Sequence, residues 1–229
     1  MPMSIPSSLL SFLSDLKNNN TREWFAENKE RFLEQKLAFD QFTIQLISMF
    51  AEFENMDGVE LKHCSYRIYR DVRFSKDKAP YKTWFSASFS EGGRKSGLMD
   101  YYVHIEPGGK SFLGGGMYDP TPEQLALFRQ EIDYNAKHLK GIIQSPTFLQ
   151  VFGEPVGDSL KKMPKGYEVD HPEIELLKKK QLFFWRKYSD SELTNPLFAD
   201  MLIKDAQVLK PYLDFLNAIF FDKEPFSIN

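Results

Sequence analysis

Residues Tyr66 to Lys82 read Y-R-I-Y-R-D-V-R-F-S-K-D-K-A-P-Y-K and hold six cations, two carboxylates and three tyrosines within seventeen positions. Arginine presents a planar fork that fits a phosphate or carboxylate, and lysine a mobile point charge. Arg67, Arg70, Arg73 and Lys76 recur every third residue, a period that suits neither one helical face nor one strand face. So much charge is costly to bury, and the chemistry it offers is capture of an anion. Read as an extended strand, Tyr66 to Phe74 places Arg67, Tyr69, Asp71 and Arg73 on one face. Tyr66, Ile68, Arg70, Val72 and Phe74 fall on the other, where Arg70 is the odd cation. It must snorkel outward, pair with Asp71, Asp77 or a distant acid, or meet a ligand. The following loop, Ser75 to Lys82, is stiffened by Pro80, which fixes one dihedral and biases Ala79 toward an extended shape. The expected ligand-binding set is therefore Arg67, Arg70, Arg73, Lys76, Lys78 and Lys82, with Tyr69, Tyr81 and Tyr102 to orient the ligand. For Lys76 and Lys78 taken singly, a solvated loop closed by Asp77 is the plainer reading.

A second group lies on one strand. Tyr102, His104 and Glu106 alternate with the apolar face Tyr101, Val103 and Ile105. His104 or Glu106 can act as general acid or base beside the arginines; the competing reading is a polar, solvated strand face. Two ligands at i and i+2 can also share a metal. The four histidines, His63, His104, His138 and His171, contain no His-x-x-x-His pair, however, and a single cysteine, Cys64, excludes a Cys-based cage and an intramolecular disulfide. No metal and no cofactor are expected. Gly114-Gly115-Gly116 reads either as a turn whose N–H groups cradle phosphate or as a sharp bend at a strand end, and it lacks the lysine and spacing of a P-loop. Lys178, Lys179 and Lys180 complement the negative end of a short helix, or join Lys162 and Lys165 in a wider cationic cleft.

The elements that must position these groups follow from period and punctuation. Ser7 or Ser8 caps a helix with Leu9, Phe12, Leu13 and Leu16 on one face, and Asn18 to Asn20 end it. From Thr21 a long second helix carries Phe25, Phe32, Phe39, Leu46 and Phe53 every seventh residue, widened by Leu33, Phe42 and Met49, until Asp57-Gly58. Alternation then predicts strands at Phe85 to Phe89, Tyr101 to Ile105 and Ser111 to Leu113, the last two joined by the turn Pro107-Gly108-Gly109-Lys110. Tyr66 to Phe74 completes an antiparallel sheet of about four strands, and Leu182 to Trp185 is a candidate addition. Thr121-Pro122-Glu123-Gln124 opens a helix with a capping box. Asp170 or His171 caps a short helix starting at Pro172, and Asn195-Pro196 opens the last one, which contains Pro211. The fold class is α+β: a central, mainly antiparallel sheet flanked by a long N-terminal helix and C-terminal helices, read as a single domain over residues 1–229.

Composition narrows the partners. A net charge of −3 argues against a generic polyanion binder, since nucleic-acid domains usually carry a positive excess. With 21 Phe, 10 Tyr and 3 Trp, the core is built on large rings. There is no basic n-region with an apolar run at the N-terminus, and no stretch near the roughly 18 apolar residues of a membrane span. A cytoplasmic protein without a membrane partner is expected.

The string from Arg67 to Lys82 resembles the hallmark of an uncharacterised bacterial and fungal family, the domain of unknown function numbered 2461. Leu16 to Lys29 (L-K-N-N-N-T-R-E-W-F-A-E-N-K), Tyr101 to Gly116 (Y-Y-V-H-I-E-P-G-G-K-S-F-L-G-G-G), Pro164 to Tyr167 and Asp170 to Pro172 fit the same pattern. The resemblance spans nearly the whole chain. It implies a single domain of this organisation and brings no established activity. Three functional readings follow: a pocket for a small phosphate- or carboxylate-bearing ligand, with or without catalysis; a nucleic-acid or protein interaction module on the same basic patch; or charges that only knit the fold together.

Overall fold

The large rings that recur every seventh residue from Phe25 fold as two helices rather than one. The computed structural model describes residues 4–221. In it α1 (Ser7–Asn18) is followed by α2 (Arg22–Glu27) and α3 (Lys29–Phe50), with a break at Asn28, whose φ of −104° and ψ of 18° leave the helical region. The Asn28 N–H still donates to the Trp24 carbonyl at 3.0 Å and its side chain joins it: Nδ2 donates to the same oxygen at 2.9 Å, while Oδ1 accepts from Arg31. Thr21 caps α2 as expected, through the Trp24 N–H. No side chain caps α1; Ser8 instead donates to Gln35 at 2.9 Å. The apolar stripe is narrower than the sequence suggests, since Leu33 is exposed.

The sheet has four strands, β1 (Phe85–Phe89), β2 (Tyr101–Ile105), β3 (Ser111–Met117) and β4 (Leu182–Tyr188), hydrogen-bonded in chain order. Tyr66 to Phe74 is not among them. It adjoins the sheet at its start, where the preceding Ser65 bridges to Ala87, and folds back on its own loop through a bridge from Tyr69 to Tyr81. Tyr66 N–H reaches the Ser86 carbonyl, after which Arg70 N–H and Lys82 N–H take the Pro80 and Ile68 carbonyls. A segment with a cation at every third position has no continuous apolar face to press onto a core, so it makes a loose excursion instead of a strand. The fourth strand is β4, longer than the Leu182 to Trp185 run.

Backbone contacts group the described residues into two compact units, one of residues 4–97, 101–113 and 187–204, the other of 98–100, 114–186 and 205–221. In the first, Phe85, Ala87 and Phe89 of β1 turn toward α3: Phe39 stacks on Phe85 at 5.2 Å between centroids, and Phe50 on Phe89 at 4.6 Å. α4 (Leu61–Cys64) delivers the buried Cys64 beside them. The turn between β2 and β3 is fastened by Asp190 of α8 (Asp190–Leu193), whose carboxylate accepts from the N–H groups of Gly108 and Gly109 at 2.9–3.0 Å.

In the second unit, α5 (Pro122–Ile143) opens with the Thr121–Gln124 capping box, and α6 (Pro146–Phe152) follows. α7 (Ile174–Leu177) begins later than Pro172, with Glu173 as its cap residue; His171 Nδ1 takes the Glu173 N–H at 3.0 Å. Helix α9 (Phe198–Phe221) carries Tyr212, fully buried, with its hydroxyl on the Leu182 carbonyl at 2.6 Å and its ring edge-on to Phe184. Gly114 to Gly116 lie within β3, and Gly116, next to the end of the strand, takes φ +118°. The space where their side chains would project holds the Phe183 ring, the Leu182 carbonyl and Tyr212. Among the described residues no helix is long and apolar enough to cross a membrane.

Candidate functional site

The basic segment divides into two groups with different surroundings. In the first, Arg70 and Arg73 are matched by the carboxylates of the same loop. Arg70 donates to Asp77 at 2.6 Å and to the Ala79 carbonyl at 3.0 Å, which closes the loop. Arg73 grips Asp71 with contacts of 2.6–3.2 Å, and each holds the other charged: the Arg73 hydrogen bond lowers the Asp71 carboxyl pKa, and Asp71 raises that of Arg73. Lys78 donates to the Val72 carbonyl, and Lys76 is exposed. Tyr81 stacks flat on Phe25 at 3.9 Å and is buried, so it belongs to the core; Tyr69 leans on it from 5.5 Å.

Asn20 pins this loop. Its amide donates to the Tyr81 carbonyl at 2.9 Å and accepts the Tyr81 N–H at 3.1 Å, which copies one rung of a sheet ladder with a side chain. Asn20→Ala is expected to cost about 2 kcal/mol, since both backbone groups lose a partner. Asn20→Asp, which keeps the acceptor, should fall between; urea midpoints at constant slope would check the order.

Arg67 and Lys82 have different company. Lys82 meets Arg94 around the ring of Tyr66, with Lys82 Nζ 5.4 Å and the Arg94 guanidinium 5.2 Å from its centroid, and the charge of the exposed Arg67 also acts on Lys82. Arg94 is placed by the turn before it. Gly93, at φ +73°, brings its backbone so close to His63 that a side chain there would sit 2.6 Å from the His63 carbonyl oxygen. The same oxygen accepts the Arg94 N–H. None of Arg67, Lys82 and Arg94 forms an ion pair among the described residues. Arg94 Nε is buried without a hydrogen-bond partner. Burial first, then the Arg67 and Arg94 charges, lower the Lys82 ammonium below the ordinary lysine range.

The polar face of the sheet continues from these cations. The register sets Ser86 opposite His104 and Ser88 opposite Tyr102, and Ser88 Oγ meets the Tyr66 hydroxyl at 3.1 Å. This face is covered and aromatic. The His104 ring stacks between Trp84 at 5.3 Å and Phe112 at 4.8 Å, and only 9% of the residue is accessible. Its Nδ1 lies 3.4 Å from the Tyr102 hydroxyl and its Nε2 3.2 Å from Glu106, which also receives Lys110 at 3.3 Å. Burial lowers the His104 pKa below 6.5; Glu106 opposes that, while Lys82 and Lys110 add to it.

Just below pH 6.5 the unfolded chain binds the proton more readily than the fold does, so stability falls as pH drops through that window toward the folded value. Wild type is expected to lose more stability than His104→Asn between about pH 7.5 and about pH 5, measured as the difference in denaturation midpoint.

The arrangement thus gathers Arg67, Lys82, Tyr102, His104 and Glu106 from the expected set and leaves Arg70, Arg73, Lys78 and Tyr81 in loop and core contacts. It adds Tyr66, Trp84, Ser86, Ser88 and Arg94. The alternation of Trp84, Ser86 and Ser88 was readable; the register that faces the serines to His104 and Tyr102, and the turn that swings Arg94 in, were not. Among the described residues no cluster of three or more His, Cys, Asp or Glu is placed to hold a metal. No curated protein and no solved structure matches the chain. The model of one family, the conserved hypothetical proteins DUF2461, matches residues 8–215, and a match over that much of the sequence shows that the chain belongs to this family.

Proposed function

We propose that the protein binds a small phosphate- or carboxylate-bearing ligand at Arg67, Lys82 and Arg94. The observation that carries this is a trio of cations without an ion pair among the described residues, one with a buried orphan nitrogen and one opposed first by burial and then by the charges of the other two. A fold does not gain by holding like charges together, and a bound anion would satisfy all three. The Tyr66 ring lies against two of them, and Tyr102 adjoins that ring. Arg70 and Arg73, already matched to Asp77 and Asp71, offer an incoming anion less. A surface concavity of the second unit is lined by Lys140, Glu154, Glu173, Glu175 and Lys179, and its Lys140 is joined to Glu173 at 2.8 Å, so its charges are already mixed. With a net charge of −3 the small ligand is favoured over nucleic acid. The test is thermal stabilisation by inorganic phosphate and by simple carboxylates, in wild type, Lys82→Met and Arg73→Ala. Stabilisation that Lys82→Met loses and Arg73→Ala keeps supports the site; equal stabilisation of all three, or of none, refutes it.

A further inference from the structure

We infer that Tyr102 is the proton-transferring residue of this site, with His104 and Glu106 as positioning residues behind it; the identity of the ligand rests on the anion-binding reading above. His104 is buried, its ring faces are taken by Trp84 and Phe112, and its two nitrogens face Tyr102 and Glu106. A ligand held by the cations therefore meets the phenol and not the imidazole. Tyr102 is half-buried, lies edge-on to Tyr66 at 6.0 Å, and so adjoins the ring on which Lys82 and Arg94 rest.

An ionised carboxylate only accepts hydrogen bonds, so Glu106 fixes the hydrogen of a neutral His104 on Nε2 and leaves Nδ1 as the acceptor toward Tyr102. Lys110 holds Glu106 from its other oxygen. The order is that of a reacting hydroxyl, a base and a group that orients the base. The Tyr102–His104 separation of 3.4 Å is the loose contact typical of such a pair before a ligand closes it. In the transfer, the Tyr102 oxygen takes a proton from an acidic O–H or C–H bond of the ligand while its own phenolic proton passes to His104 Nδ1. The ligand bond breaks, one O–H bond is exchanged on Tyr102, and the proton ends on an imidazolium balanced by Glu106. The electron pair stays on the ligand, whose added negative charge faces Arg67, Lys82 and Arg94. The substrate class is thus an anion carrying an acidic hydrogen beside its phosphate or carboxylate.

Benzenesulfonyl fluoride, an uncharged probe, reads the same activation without any ligand. The Tyr102 oxygen bonds to sulfur, the S–F bond breaks, fluoride leaves, and the phenolic proton goes to His104. On the full chain, peptide mass spectrometry is expected to show Tyr102 modified at least about tenfold faster than the exposed Tyr134, with His104→Asn and Glu106→Gln each removing about tenfold or more. Glu106→Gln decides alone if His104→Asn does not fold. Tyr102 reacting no faster than Tyr134, or at an unchanged rate in the folded variants, overturns the relay. Inorganic phosphate separates the two readings: a fast Tyr102 that phosphate neither protects nor perturbs upholds the relay and sinks the anion site.

Discussion

Replacing Lys82 with methionine is expected to stabilise the protein without ligand and to abolish the stabilisation that a bound anion gives wild type. The two signs come from one cause. Lys82 is half-buried, without an ion pair among the described residues, and its charge is opposed by burial and by Arg67 and Arg94. Methionine keeps the apolar stem along Tyr66 and removes the opposed charge. With an anion present the argument reverses, because the cation that was a burden becomes a partner. At a concentration about a hundred times the dissociation constant, binding to the native state contributes about 2.7 kcal/mol. For a chain of this size that is a rise in Tm of about 5–10 °C. The rise should weaken at alkaline pH below the ordinary lysine range, as Lys82 loses its proton. Differential scanning fluorimetry with and without phosphate checks both signs. A variant less stable than wild type without ligand, and equally stabilised with it, would contradict the site.

Gly116→Ala is expected to be strongly damaging for a single methyl, with a loss of about 3–5 kcal/mol and a Tm lower by about 10 °C. A side chain there would begin 2.6 Å from the Leu182 carbonyl oxygen and 2.7 Å from Tyr212 Cε1, on a backbone at φ +118°. Neither neighbour can yield cheaply. The oxygen belongs to strand β4, and the ring belongs to a fully buried tyrosine whose hydroxyl bonds that same oxygen at 2.6 Å. Moving one breaks the other. Gly141→Ala is the matched control: it lies in α5 with nothing within 4 Å, and alanine there should stabilise by up to about 1 kcal/mol through helix propensity. Thermal melts of the two variants, run beside wild type, should move in opposite directions.

Much of the fold was readable because local chemistry decides it. The Thr121 capping box, the Thr21 cap, the alternation in β1 and β2 and the glycine turn at Gly108-Gly109 all appear where residue types within a few positions demand them. The errors fall where the backbone departs from its local pattern or a distant group took over. Asn28 leaves the helical region and divides one long helix into two, its N–H and its side chain both donating to the Trp24 carbonyl, and an unbroken seven-residue repeat gives no sign of it. Tyr66 to Phe74 has the alternation of a strand, but after Tyr66 bonds Ser86 of β1 its pairing partners are Pro80 and Asn20-bound Tyr81 in its own loop.

The candidate site shows the same division. By itself the sequence determined that cations and tyrosines concentrate between Tyr66 and Lys82, and that Tyr102, His104 and Glu106 share a strand face. Residue type and a period of two suffice for that. Only the tertiary structure decided which charges are spent. Asp77 and Asp71 neutralise Arg70 and Arg73 within the loop, while Arg67 and Lys82 are left to meet Arg94. Electrostatic neutrality is a matter of distances of a few ångströms between groups up to 27 positions apart, and the sequence carries no such distances. The register of β1 against β2 likewise sets Ser86 to His104 and Ser88 to Tyr102, turning a face that reads as solvated into one that is aromatic and closed.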